Sequence, residues 1–148
     1  MSEYLHKSHN VSVLLYHIVC PAKYRRLVID DNVEKTIKET CEEISKRYEI
    51  KFIEIGTEGD HVHFLVQSIP SYSPTKIVTT IKGIVSRRVF EKHPEVKRQL
   101  WGGEFWSNGY FVSTVSKYGN EEIISNYVKQ QGTEKEYKQI YKEQLELF

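Results

Sequence analysis

From Asn10 to Val19 the chain is a nearly continuous apolar, partly β-branched run closed by Cys20-Pro21. This is the pattern of a buried strand that ends where proline can no longer donate to a ladder. Val33, Ile37, Cys41, Ile44 and Tyr48 then recur at three- and four-residue steps behind a capping Asp30 or Asp31. That spacing predicts a helix ending near Glu49 with one apolar stripe. Lys51 to Thr57 alternates, with Phe52, Glu54 and Gly56 on one side and Ile53, Ile55 and Thr57 on the other. Glu58-Gly59-Asp60 turns the chain into a partner strand from His61 to Gln67, giving an antiparallel hairpin. Ser73-Pro74 opens a second helix that carries Ile77, Ile81, Ile84, Val85 and Val89 and runs to about Phe90. Trp106 to Val115 reads as a further strand, entered through Trp101-Gly102-Gly103 with Asn108-Gly109 as a bend. Asn120 caps a helix with Glu121 and Glu122 at its positive end, and Gly132 is placed to terminate it. Thr133 to Glu136 resembles a capping box for a last helix with Tyr137, Ile140 and Tyr141 on one side.

The order β-α-β-β-α-β predicts an α+β, ferredoxin-like domain: an antiparallel sheet with helices on one face, plus C-terminal helices. Its 148 residues suffice for one domain over 1–148 with a genuine core. Twenty-one Lys and Arg against 20 Asp and Glu leave a net charge of +1, so a polyanion must be held by local patches, not by an overall field. Cys20 and Cys41 lie far apart without C-x-x-C spacing, which implies two free thiols and a reducing compartment. The N-terminal residues lack an apolar signal core, and no run approaches the ~20 apolar residues of a membrane span, so a cytoplasmic location is expected.

The candidate chemistry begins at Asp60-His61-Val62-His63. Side chains in a strand repeat every two residues, so His61 and His63 share a face while Val62 and Phe64 take the other. That is half of a metal site, although spacing alone also suits two solvated or core-satisfied histidines. Tyr127 and Gln131 stand four residues apart on the Asn120 helix and so lie one above the other on one face. If that face meets the histidines, two imidazole nitrogens and an amide oxygen converge beside a phenol. Such a set suits metal-assisted phosphodiester cleavage with tyrosine as nucleophile. Ile123, Ile124, Tyr127 and Val128 also make an ordinary core stripe, so the tyrosine by itself decides nothing.

At these residues the chain resembles the single-tyrosine HUH transposases of small bacterial insertion sequences that move as single-stranded DNA. The resemblance extends to Tyr16-His17-Ile18-Val19, Lys23-Tyr24-Arg25-Arg26, Ile81-Lys82-Gly83-Ile84-Val85-Ser86-Arg87 and Trp106 through Val115. It implies that His61, His63 and Gln131 hold a divalent metal, Mg2+ or Mn2+. It implies that Tyr127 becomes linked to a DNA 5′ phosphate. It further implies hairpins at the element ends as ligand, and a homodimer in which the tyrosine helix of one subunit can complete the other's site. Lys23, Arg25 and Arg26 after the first strand, and Lys82, Arg87 and Arg88 on the second helix, are the candidate DNA-binding cations. Some of the ten tyrosines are candidates to stack on unpaired bases. The competing readings are a domesticated HUH nickase and a noncatalytic single-strand nucleic-acid-binding module, which ferredoxin-like sheets with exposed aromatics also form.

Overall fold

A computed structural model describes residues 14–115 in full, together with the backbone of 5–7 and 10–12. Strands β1 (Leu5–Lys7) and β2 (Asn10–Ser12) pair antiparallel as a separate ribbon. The apolar run expected as one strand from Asn10 is therefore divided, and its main part is β3 (Leu14–Pro21). Helix α1 (Asp31–Arg47) follows, then the hairpin β4 (Ile50–Glu58) and β5 (His61–Ser68). Helices α2 (Pro74–Lys92) and α3 (Pro94–Gln99) lead to β6 (Phe111–Val115). The main sheet has the order β4-β5-β3-β6 with every pairing antiparallel. This is the ferredoxin-like α+β arrangement that the element order predicts.

The helices form where their caps and stripes direct. Asp30 accepts the Val33 N–H at 2.9 Å, and Ser73 accepts the Lys76 N–H at 3.0 Å with Pro74 at the first helical position. Val33, Ile37, Cys41 and Ile44 of α1 and Ile77, Ile81, Val85 and Val89 of α2 are buried in one cluster with Ile18, Cys20, Val62, Phe64 and Val66. The core therefore lies between the helices and the sheet face that carries the even-numbered residues of β3 and β5. Glu43 with Arg88, and Glu39 with Lys92, bridge α1 to α2 at 3.0 and 3.6 Å.

The first strand closes at the proline as its pattern predicts: Pro21 occupies the last position of β3, and its carbonyl accepts the Ser107 N–H at 3.0 Å. A strand end asks no donor of it. The simple alternation along β4 fails at a bulge between Phe52 and Glu54. One extra residue there lets both Phe52, opposite Val66, and Ile55, opposite Phe64, face the core, while Glu54 faces the other side. The last described strand begins at Phe111, not Trp106. Trp106 makes only an isolated bridge with Ala22, and its indole N–H donates to the Lys82 carbonyl at 3.0 Å, anchoring the loop to α2. The short helix α3, opened by Pro94, has no counterpart in the periodic pattern. The helices expected after Asn120 lie outside the described residues.

Candidate active site

Register decides what surrounds the histidine pair. In β5, Val62, Phe64 and Val66 point into the helix-covered core, so His61 and His63 point to the opposite face. Their ring centroids are 4.9 Å apart. Antiparallel partners share a face, and β3 sets Pro21 opposite His61, Val19 opposite His63 and His17 opposite Leu65. His17 thereby joins the same face, its ring stacked on His63 at 6.0 Å and meeting the edge of Phe111 at 5.8 Å. All three histidines are at most 5% exposed. Burial pushes the His17 imidazolium down to about 4. Burial, then repulsion from His61 and His17, pushes that of His63 down further. Both rings are therefore neutral near pH 7, the state in which an imidazole nitrogen donates a lone pair to a metal.

The turn between β4 and β5 presents the pair and is held from outside. The Ala22 N–H donates to the Asp60 carbonyl at 2.8 Å, and the Ile29 N–H to the Gly59 carbonyl at 3.0 Å. The Asp60 carboxylate accepts from His61 Nδ1 at 2.5 Å and from Arg25 Nε at 3.0 Å. Burial raises the Asp60 pKa, but the His61 imidazole and the Arg25 guanidinium outweigh it and hold the carboxyl below its usual range.

Two imidazoles from one strand face fit a divalent ion whose remaining ligands are oxygens. Among the described residues no three His, Cys, Asp or Glu side chains are gathered to hold a metal by themselves, so the pair needs a donor from elsewhere. Tyr127 and Gln131 lie outside the described residues.

The candidate DNA-binding cations separate into two groups. Lys23 pairs with Glu104 at 2.8 Å, Arg25 with Asp60, and Arg88 with Glu43 and Glu91 at 3.0 and 3.7 Å. Lys82 donates to the Ser107 carbonyl at 2.9 Å and lies 5.7 Å from the centroid of the Tyr110 ring, inside a groove of about 420 Å³ between α2 and the 103–110 loop. Arg26 and Arg87 are exposed and make no ion pair among the described residues. Tyr24 and Tyr110 are exposed aromatics on the segments that flank the Ala22 and Trp106 bridge. Cys20 and Cys41 are free and buried, and burial pushes the Cys20 thiol up to about 12.

The geometry adds two side chains that the motif does not contain. His17 reaches the site through strand register, for which the only trace in the sequence is its place in the Tyr16-His17-Ile18-Val19 stretch. Asp60 is adjacent to His61, so an acid next to the first histidine was the available signal.

A ferredoxin-like sheet displaying paired histidines from a central strand defines a class of small α+β proteins with a candidate catalytic face. The family model described as "Transposase IS200 like" matches residues 10–131, and the chain belongs to that family. It is similar to the ISDra2 transposase TnpA of Deinococcus radiodurans, 31% identical over 118 residues that cover 80% of this chain and 84% of that one. It is also similar to the transposase of insertion sequence IS200 of Salmonella typhimurium, 29% identical over 116 residues, covering 78% and 75%. Among solved structures, a putative transposase from Deinococcus radiodurans superposes with a TM-score of 0.69 at 29% identity, over 87% of this chain and 98% of that one. A REP-associated tyrosine transposase bound to a REP hairpin shares the fold, with a TM-score of 0.60 at 7% identity over 86% and 70%. The chain is thus an IS200-like transposase, an enzyme that transfers DNA strands. Among the described residues no helix is long and apolar enough to cross a membrane.

Proposed function

We propose that this transposase binds hairpins in single-stranded DNA at the ends of its element, cleaves beside them with Tyr127 and rejoins the strands. The observation that carries the reading is the buried His61–His63 pair, neutral at His63 and aimed away from the core. His61, His63 and Gln131 are the residues proposed to hold Mg2+ or Mn2+. Once bound, the ion withdraws charge from the scissile phosphate and favours in-line displacement. The Tyr127 oxygen attacks phosphorus, the bond to the 3′ oxygen breaks, and the phenol proton ends on the released 3′ hydroxyl. The resulting 5′-phosphotyrosine conserves the ester bond for attack by a new 3′ hydroxyl, which restores the tyrosine. The similarity to a hairpin-bound tyrosine transposase supports hairpin DNA as ligand, in fold alone. Exposed Arg26 and Arg87 suit phosphate contacts, and exposed Tyr24 and Tyr110 suit stacking on unpaired bases.

The test is a denaturing gel of protein incubated with single-stranded DNA from both flanks of the coding gene and either ion. A covalent adduct that disappears with chelator or with Tyr127→Phe is the expected result. Tight binding without adduct in both ions would replace this reading with that of a binding module. A homodimer with sites assembled in trans is part of the proposal. A mixed dimer of Tyr127→Phe and His61→Ala subunits retains one complete site if assembly is in trans and none if it is in cis.

A further inference from the structure

We infer that Asp60, gripped by Arg25, is a positioning residue that fixes the tautomer and ring orientation of His61 and so makes Nε2 its donor atom. This rests on the proposed metal role of the histidine pair. An ionised carboxylate only accepts hydrogen bonds, so the 2.5 Å contact places a proton on His61 Nδ1, and the neutral form of the ring then carries its lone pair on Nε2. A carboxylate behind a ligating imidazole also raises the ring's basicity as a donor.

The rest of the local structure exists to hold that carboxylate. Arg25 occupies the second of Asp60's oxygens through Nε at 3.0 Å, leaving the first to His61. To reach it the chain takes two consecutive left-handed residues, Tyr24 at φ +60° and Arg25 at φ +53°. Non-glycine residues keep such conformations only where the surroundings impose them. Backbone hydrogen bonds from Ala22 and Ile29 fix the Gly59-Asp60 turn from the same segment. Arg25 thus has a geometric task besides any contact with DNA, and Tyr24 is displayed outward as a consequence of the same turn.

Metal-free protein labelled with 15N-histidine reports the tautomer by NMR, and Mn2+ titration followed by calorimetry reports the affinity. In the wild type, His61 is expected as the Nδ1–H form. In Asp60→Ala it is expected to shift toward the Nε2–H form, and Mn2+ affinity is expected to fall about 10–100-fold, the usual effect of removing such a partner. Asp60→Asn keeps the shape and one acceptor oxygen, so it is expected to recover part of the affinity, and it serves if the alanine variant does not fold. Arg25→Ala is expected to lower affinity less than Asp60→Ala. An unchanged His61 tautomer or Mn2+ affinity within twofold of wild type in folded Asp60→Ala, or, where only Asp60→Asn folds, Mn2+ affinity within twofold of wild type in that variant, overturns the inference. Wild-type protein that binds neither Mn2+ nor Mg2+ would instead end the metal reading of the pair, while the metal-free tautomer measurement still decides the role of Asp60.

Discussion

Acid should unfold this protein through its buried histidines before its carboxylates matter. His17 titrates near 4 in the folded chain against 6.5 in an unfolded one, because burial disfavours the cation. His63 is depressed further by burial and by its histidine neighbours. Between pH 6.5 and 4 the unfolded chain therefore holds protons that the folded chain refuses. Stability is complete above pH 6.5 and is lost as pH falls. At pH 5 the linkage relation gives a loss of about 2 kcal/mol for His17. For His63 only the unfolded chain's titration matters at that pH, which gives about 2 kcal/mol again. A total near 4 kcal/mol is a large share of the roughly 5–15 kcal/mol that holds a domain of this kind together. Urea denaturation at pH 7.5 and pH 5.0, with chelator present, measures the difference. His17→Leu removes one titrating group from the face, so its pH difference should shrink to about half that of the wild type. Equal differences in the two proteins, or a wild-type loss under about 1 kcal/mol, would refute the assignment of acid sensitivity to these rings.

Ile81 is fully buried in the core cluster that α2 shares with α1 and the sheet, and Ile81→Ala should cost about 2–5 kcal/mol of unfolding free energy by denaturant titration. A loss below 1 kcal/mol would mean that α2 is not packed as described. Tyr24→Ala should weaken binding of single-stranded DNA by about 1–3 kcal/mol without changing its salt dependence, because a stacked ring carries no charge. Fluorescence anisotropy across a salt series reads both quantities. In the same series Arg26→Ala and Arg87→Ala should each lower the slope of log affinity against log salt by about 1, and Arg88→Ala should leave it unchanged, since Arg88 is committed to Glu43 and Glu91. A slope that responds to Arg88 alone would reverse the division of cations drawn from the ion pairs.

Much of the fold is local and was legible in the chain. The caps at Asp30 and Ser73 and the stripes of α1 and α2 are properties of neighbouring residues, as is the common face of His61 and His63 in a period-two strand. Tyr127 and Gln131, expected from their four-residue spacing to join that pair, lie outside the described residues. The bulge at Ile53 was not legible, because either alternation of β4 looks acceptable until Val66 and Phe64 fix which residues must be buried opposite them. Nor was the shortened β6, since aromatic residues before Phe111 read as strand while Trp106 is in fact spent on α2.

The sequence by itself determined α1, α2, the β4–β5 hairpin and the histidine pair, because these depend on side-chain periods, caps and turn residues within a few positions. Tertiary structure alone decided that His17 stacks on His63, that Arg25 crosses 35 positions to Asp60, and that Lys23 is neutralised by Glu104. Those contacts depend on strand register and turn placement, and register is set by burying one whole face of the sheet under two helices, a condition no short window of residues contains.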